Sequence, residues 1–284
     1  MIVITGATGQ LGRLVITSLL KKVPAAGIVA AVRNVDKARG LAALGVQVRH
    51  ADYNVPATWD EALKGADKLL LISSSEIGQR VDQHRTVIEA ARRAGVKLLA
   101  YTSVLHADVS LLGLAAEHRE TEALIRASGV PCALLRNGWY SENYTAGVPA
   151  ALKHGKMYGC AGTGRISSAS RADYAEAAAT VLTMDDQAGR VHELAGDTAY
   201  TLAELAAEIS RQSGRNIDYV NLPESEYKKL LLTVGLPEPI AELLANSDTG
   251  ASKGALFDDS RQLSTLIGRP TTPVATAVAD ALLH

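Results

Sequence analysis

The sequence predicts an α/β fold built on a doubly wound parallel sheet, followed by a smaller, mainly helical lobe. Three observations lead there. Short apolar runs alternate with longer amphipathic stretches through the first half, as strands of a parallel sheet alternate with the crossover helices that cover both its faces. Gly45, Gly65, Gly95 and Gly129 each fall between a helical stretch and the next apolar run, where a residue able to take positive φ ends a helix. A glycine triplet, Gly6, Gly9 and Gly12, follows the first apolar run directly.

Taken in order, the apolar runs place strands at residues 2–5, 28–33, 46–51, 68–72, 97–102 and 132–136. The amphipathic stretches between them place helices at 11–22, 35–44, 56–64, 79–94 and 115–128. Beyond Arg136 the alternation fades. There Ser170-Arg171-Ala172-Asp173 opens an alanine-rich helix to about Met184, and 191–194 is a short strand. Thr201 and Glu204 form a capping box, and helices at 223–234, 237–245 and 273–283 complete the lobe. The expected division is a dinucleotide-binding domain at 1–136 and a substrate lobe at 137–284, with a return of the chain to the sheet left open.

Composition narrows the function. The 284 residues carry 29 Lys+Arg against 30 Asp+Glu, a net charge of -1, which removes the basic footprint that nucleic-acid binding needs. Hydrophobic residues make up 47% and charged ones 21%, the balance of an ordinary globular protein. Cys132 and Cys160 do not form a CxxC pair, so neither a disulfide scaffold nor a cysteine metal site is expected, and both read as small apolar fillers. The start, Met1-Ile2-Val3-Ile4-Thr5-Gly6, lacks a signal-peptide pattern and no run reaches membrane-span length. The expected location is the cytoplasm, without membrane insertion.

The sharpest signal is Thr5-Gly6-Ala7-Thr8-Gly9-Gln10-Leu11-Gly12, which joins the first strand to the first helix. Glycine suits such positions because the turn is tight and the backbone must approach a pyrophosphate. The helix must also pack near the sheet while its N-terminus offers N–H groups and positive potential. This context makes the first domain Rossmann-type. At the end of the second strand, where an NAD site would carry Asp or Glu for the ribose 2′-hydroxyl, the chain has Arg33. Arg33 suits a 2′-phosphate and favours NADPH, the other reading being a solvated surface arginine. Further strand ends reach the same crevice: Asp52 and Tyr53 as an adenine wall or a turn, Ser73, Ser74 and Ser75 along the ribose or as turn caps, then Thr102, Ser103 and Asn137.

Together with Arg33, the runs Leu70-Leu71-Ile72-Ser73-Ser74-Ser75, Ala100-Tyr101-Thr102-Ser103 and Leu135-Arg136-Asn137-Gly138-Trp139-Tyr140-Ser141-Glu142-Asn143-Tyr144 make the chain resemble the NmrA-like atypical short-chain dehydrogenases. The glycine spacing, GxxGxxG, and the tail Asp248-Thr249-Gly250-Ala251-Ser252-Lys253-Gly254 fit the same resemblance, in particular its quinone- and triphenylmethane-dye-reducing branch. The resemblance implies NADPH as cofactor and a quinone held between the nicotinamide and the second lobe. Gly6, Thr8, Gly9, Gln10, Leu11 and Gly12 would hold the pyrophosphate and Arg33 the 2′-phosphate. Ser73, Ser74 and Ser75 would lie along the ribose, Asn137, Trp139 and Tyr140 near the nicotinamide, and Asn143 and Tyr144 towards the substrate. A homodimer is left open, as are a non-catalytic redox sensor and a reductase of cationic dyes.

Ordinary short-chain dehydrogenases protonate an alkoxide with a Tyr whose pKa is lowered by a Lys four residues on. Alignment on Glu122 and Ser128-Gly129 puts Leu114 and His118 at those two places, so that apparatus is missing. A quinone does not need it, because hydride addition yields a phenolate that water protonates. His118 reads either as a catalytic partner for ribose or substrate oxygen, or as a surface or capping residue. Trp59 reads as packing, and Trp139 as pocket wall or packing.

Overall fold

The structure is a computed structural model that describes residues 1–283. Its chain divides into two compact units: Met1–Ala107 with Ala116–Asn137 and Arg171–His192, and Asp108–Ala115 with Gly138–Ser170 and Glu193–His284. The expected single cut after residue 136 is therefore a simplification, since 171–192 returns to the first unit.

The first unit opens with β1 (Ile2–Ile4), α1 (Gln10–Leu19), β2 (Ile28–Val32), α2 (Arg39–Ala43), β3 (Gln47–His50) and α3 (Thr58–Ala62). It continues with β4 (Lys68–Leu71), α4 (Arg80–Arg93), β5 (Leu98–Val104), α5 (Ala115–Ser128) and β6 (Cys132–Asn137). The seven-stranded sheet has the order β3-β2-β1-β4-β5-β6-β8, with β8 at Val191–Leu194, and the ladders from β3 through β6 are parallel, with Val3 opposite both Val29 and Leu69. Successive strands run outward from β1 in one direction and then, from β4, in the other. That reversal is a topological switch point, and it opens a crevice at the carboxyl ends of β1 and β4.

After β6 come α6 (Ser141–Thr145), α7 (Val148–His154), β7 (Lys156–Gly159), α8 (Arg171–Thr183) and β8 (Val191–Leu194). Then follow α9 (Leu202–Ser213), β9 (Asp218–Asn221), α10 (Glu224–Thr233), α11 (Glu238–Ser252), α12 (Gln262–Ile267) and α13 (Val274–Leu282). Helix α1 buries Leu11, Val15, Ile16 and Leu19 on one stripe and packs on the alanine-rich α8, whose small side chains allow the approach. The four glycine stops have φ between 67° and 82°, in the left-handed region expected of them.

Several elements depart from expectation. Residues 35–44 form a 3-10 turn, Val35–Ala38, capped by the Asn34 side chain, before the short α2. Helix α11 runs on to Ser252, past the expected end at residue 245, with Ser247, Asp248 and Gly250 buried. A Cβ on Gly250 would lie 2.5 Å from Leu112 Cδ2, so the glycine there serves close approach and not helix ending. Strands β7 and β9 form a separate parallel pair.

One buried ion pair ties α5 to the strand ends. Glu122, 1% exposed, accepts from Arg136 Nε at 2.9 Å and Nη2 at 2.8 Å, from Ser103 Oγ at 2.7 Å, and from Arg126 at 3.0 Å. Burial alone would raise its carboxyl pKa, but the bonds from Arg136 and Ser103 hold it below the usual range. Glu122→Ala is expected to destabilise the protein by ~3–5 kcal/mol, because it removes a buried carboxylate that two bonds from the buried Arg136 satisfy. Chemical denaturation checks this, and a change within about 0.5 kcal/mol, as at an ordinary surface site, would contradict it.

Candidate active site

The crevice floor is the loop between β1 and α1. Thr5 anchors it: its Oγ1 accepts from the Ile72 N–H at 2.9 Å and from Tyr53 OH at 2.8 Å. Gly6 then takes φ +56°, and its carbonyl accepts from Gly9 N–H at 2.9 Å, closing the turn. Gly9 is the N-cap of α1 and no side chain caps it, so the helix start is left to whatever binds there. A Cβ on Gly9 would lie 3.1 Å from the Gly6 oxygen, and one on Gly12 only 2.4 Å from it and 2.7 Å from Ala7 Cα. Gly12 thus keeps helix and loop together, while Gly6, Gly9 and Gln10 are exposed and Thr8 half-buried. Leu11 is buried in the α1 core face, which leaves only its main chain for contact with a ligand.

Arg33 follows β2 with its side chain 68% exposed, and its Nη1 lies 3.5 Å from Glu76 Oε1 in the loop after β4. Nearby, Arg13 on α1 donates to the Thr8 carbonyl at 3.0 Å and to the Lys37 carbonyl at 3.0 Å, bringing a second guanidinium to this rim. The three serines differ. Ser73 donates its N–H to Thr102 Oγ1 at 2.8 Å and is half-buried, and Ser75 is exposed. Ser74 is buried: its Oγ donates to Gln83 Oε1 at 2.5 Å and its N–H to His84 Nε2 at 2.9 Å. The Ser74 hydroxyl is therefore committed to the loop's own frame. Tyr53 stacks on Trp59, burial pushes its phenol up to about 12, and Asp52 takes the turn role by accepting from Asn54 N–H. Trp59 is a packing residue, 1% exposed.

At the end of β6, Asn137 is buried, and its Oδ1 has no partner among the described residues. An orphaned acceptor at a strand's carboxyl end, an uncapped helix start and a glycine cradle that a Cβ would fill together fit a dinucleotide.

In the second unit, Trp139 and Tyr140 are half-buried ahead of α6, whose start is held by the Ser141 N–H on the Ala169 carbonyl at 2.9 Å. Asn143 is exposed. The Tyr144 ring is partly accessible, but its hydroxyl is buried without a partner, and burial drives its pKa well upward. The ring meets Tyr200 edge-on at 6.3 Å, and Tyr200 OH joins Ser168 and Ser141 in a buried hydroxyl chain.

Residues 1–273 match the NmrA-like family. The chain belongs to the NmrA-like family. It is 60% identical over 279 residues to quinone oxidoreductase 2 of Escherichia coli (strain K12), covering 98% of each chain. It resembles the crystal structure of the Escherichia coli NADPH-dependent quinone oxidoreductase complexed with NADPH, at a TM-score of 0.98, 60% identity and full coverage of both chains. The Citrobacter sp. triphenylmethane reductase complexed with NADP(H) superposes with a TM-score of 0.95 at 42% identity, over 99% of this chain and 100% of that one.

In this NmrA-like chain His118 is not a surface or capping residue, a correction to that expectation. It is 4% exposed, with Nδ1 at 2.7 Å from Tyr101 OH. The reason is helical phase: His118, Thr121, Glu122 and Ile125 share the buried face of α5. Burial, then Arg80 and His84, hold its pKa well below the ordinary value. Around it lies a polar frame that sequence reading missed. His84 accepts from Ser74 N–H and its Nδ1 meets Thr121 Oγ1 at 3.0 Å. Arg80 donates to the Ser74 carbonyl at 2.7 Å and pairs with Glu117 at 2.6 Å. The signal in the sequence is Arg80, Gln83 and His84 at helical spacing on one face of α4, a polar stripe in line with the apolar Val87.

Proposed function

We propose that this NmrA-like chain is an NADPH-dependent quinone reductase that works without a Tyr/Lys acid pair. The observation that carries the reading is the 60% identity to quinone oxidoreductase 2 of Escherichia coli across 98% of both chains. Bound NADPH supplies a hydride from its nicotinamide. The chain's residues then have binding and orienting roles: the loop Gly6–Gly12 takes the pyrophosphate, with Thr8, Gln10 and the Leu11 main chain, and Arg33 takes the 2′-phosphate. Ser73 and Ser75 border the ribose. Asn137, Trp139 and Tyr140 orient the nicotinamide, and Asn143 and Tyr144 the acceptor. Hydride addition to a quinone gives a hydroquinone anion stabilised by its own ring, and water completes it with a proton. No side chain has to hold a proton poised, so positioning carries the rate.

The likeness to triphenylmethane reductase supports cationic dyes as a second acceptor class, which likewise stabilise the charge change themselves. The reading includes a cytoplasmic location and no nucleic-acid partner, and a homodimer stays open. Among the described residues no helix is long and apolar enough to cross a membrane.

The test is oxidation of NADPH with benzoquinone. Turnover is expected, with kcat nearly flat from mildly acidic to mildly alkaline pH, whereas binding without turnover would favour a redox sensor. In the same assay His118→Ala should leave kcat within about threefold of wild type, since a working general acid contributes about 10²-fold or more. Its cost should appear as lower thermal stability, because the buried Tyr101 hydroxyl loses its bond to His118 and the missing imidazole leaves a void. A bell-shaped profile with a hundredfold loss of kcat on His118→Ala would make His118 the acid after all.

A further inference from the structure

We infer that Glu76 is the second half of the coenzyme selector: an anion built in opposite Arg33 that holds the guanidinium until a 2′-phosphate displaces it. This rests on the NADPH reading above. Strands β2 and β4 flank β1, so Arg33 beyond one and Glu76 beyond the other meet over the glycine loop. Glu76 is not a loose surface carboxylate. Its Oε2 accepts from Gln83 Nε2 at 2.7 Å, and its N–H donates to Ser74 Oγ at 3.2 Å. Gln83 is itself 3% exposed and fixed by Ser74 Oγ. One carboxylate oxygen is thus held from below and the other is presented to Arg33.

The pair at 3.5 Å is exposed and long, the kind that contributes little and exchanges readily. A phosphate, with its greater charge and a geometry that a guanidinium matches in bidentate fashion, outcompetes a single carboxylate oxygen. Glu76 cannot swing far once displaced, because Gln83 retains it. The bound 2′-phosphate therefore has a like charge beside it, which weakens its binding. A 2′-hydroxyl, in contrast, can donate to that same carboxylate, the role an acidic residue plays in NAD sites. Glu76 accordingly narrows the preference that Arg33 creates and leaves NADH a usable second donor.

The decisive variant is Glu76→Gln, which removes the charge while its amide oxygen can still accept the Gln83 bond. Calorimetry on the full chain with 2′,5′-ADP and with 5′-AMP reads the effect without turnover. Relative to wild type, 2′,5′-ADP is expected to bind about fivefold tighter to the variant at low salt, and that gain should shrink as salt screens it. Binding of 5′-AMP should weaken or stay the same. Unchanged or weaker 2′,5′-ADP binding in the variant would overturn the inference and leave the NADPH reading standing. If wild type itself shows no preference for 2′,5′-ADP over 5′-AMP, the NADPH reading fails and the inference with it. Wild type and variant therefore report the two failures separately.

Discussion

Gly9→Val is expected to abolish dinucleotide binding while the protein stays folded, and Gly12→Val to lose both binding and stability. The two glycines are three residues apart in one loop, yet the structure gives them different reasons to lack a side chain. Gly9 has φ -72° and ψ 170°, open to any residue, and a Cβ there would need the Gly6 oxygen at 3.1 Å to yield only slightly. What valine removes at Gly9 is the room over an uncapped helix start, where a pyrophosphate needs the backbone N–H groups. The expected loss in Kd for NADPH is about 10²-fold or more, ~3 kcal/mol, with little change in Tm. At Gly12 the Cβ would sit 2.4 Å from the Gly6 oxygen and 2.7 Å from Ala7 Cα, contacts to backbone that has nowhere to go. Overpacking of that kind costs ~1–3 kcal/mol or more, so Gly12→Val should also lower Tm by several degrees. Fluorescence titration with NADPH and thermal denaturation, run on both variants, separate the two effects. If Gly9→Val binds NADPH as wild type does, the loop is not the pyrophosphate site.

Arg33→Asp is expected to invert the coenzyme preference. The substitution removes the guanidinium that pairs with a 2′-phosphate and installs the acceptor that a ribose 2′-hydroxyl prefers. A charge-assisted bond of this type contributes ~1.5–3 kcal/mol, so the ratio of kcat/KM for NADPH over NADH should fall by about 10²-fold. The exposed Arg33 has no structural task beyond its long contact with Glu76, so stability should be unaffected. Equal use of the two coenzymes by wild type would show that Arg33 is not the selector.

Acid should weaken the fold through the same frame that holds the Ser73–Ser75 loop. Burial, and then Arg80, depress the His84 pKa to about 3 from an ordinary 6.5, and His118 is depressed as well. A histidine whose folded pKa is lowered contributes its full stability above the unfolded value. That contribution falls away as pH drops below about 6.5, because the unfolded chain takes up protons the core refuses.

Local chemistry wrote the first unit into the sequence. Continuous apolar runs, amphipathic stretches and glycines at helix ends are short-range features, and each settles an element before any distant contact exists. The same holds for Gly6, Gly9 and Gly12, for Arg33 at a strand end, and for the Thr201–Glu204 capping box, whose reciprocal bonds span three residues. The missing Tyr/Lys pair was equally legible, since a residue's absence needs no structure to see. Tertiary structure alone decided the rest. His118 read either as a catalytic partner or as a surface residue among acidic neighbours, and α5 turns it into the core against Tyr101, where burial holds its pKa well below the ordinary value. Ser74 read as a ribose contact or as a turn cap, and only the packing of α4 shows Gln83 and His84 taking its hydroxyl and N–H. Glu76 carried no signal, because its meaning lies in Arg33, 43 residues away, and in the buried Gln83 that aims it. The physical reason is common to all three: spacing along the chain sets which conformations are available, whereas burial and the partner at bonding distance set protonation and charge, and those exist only after packing.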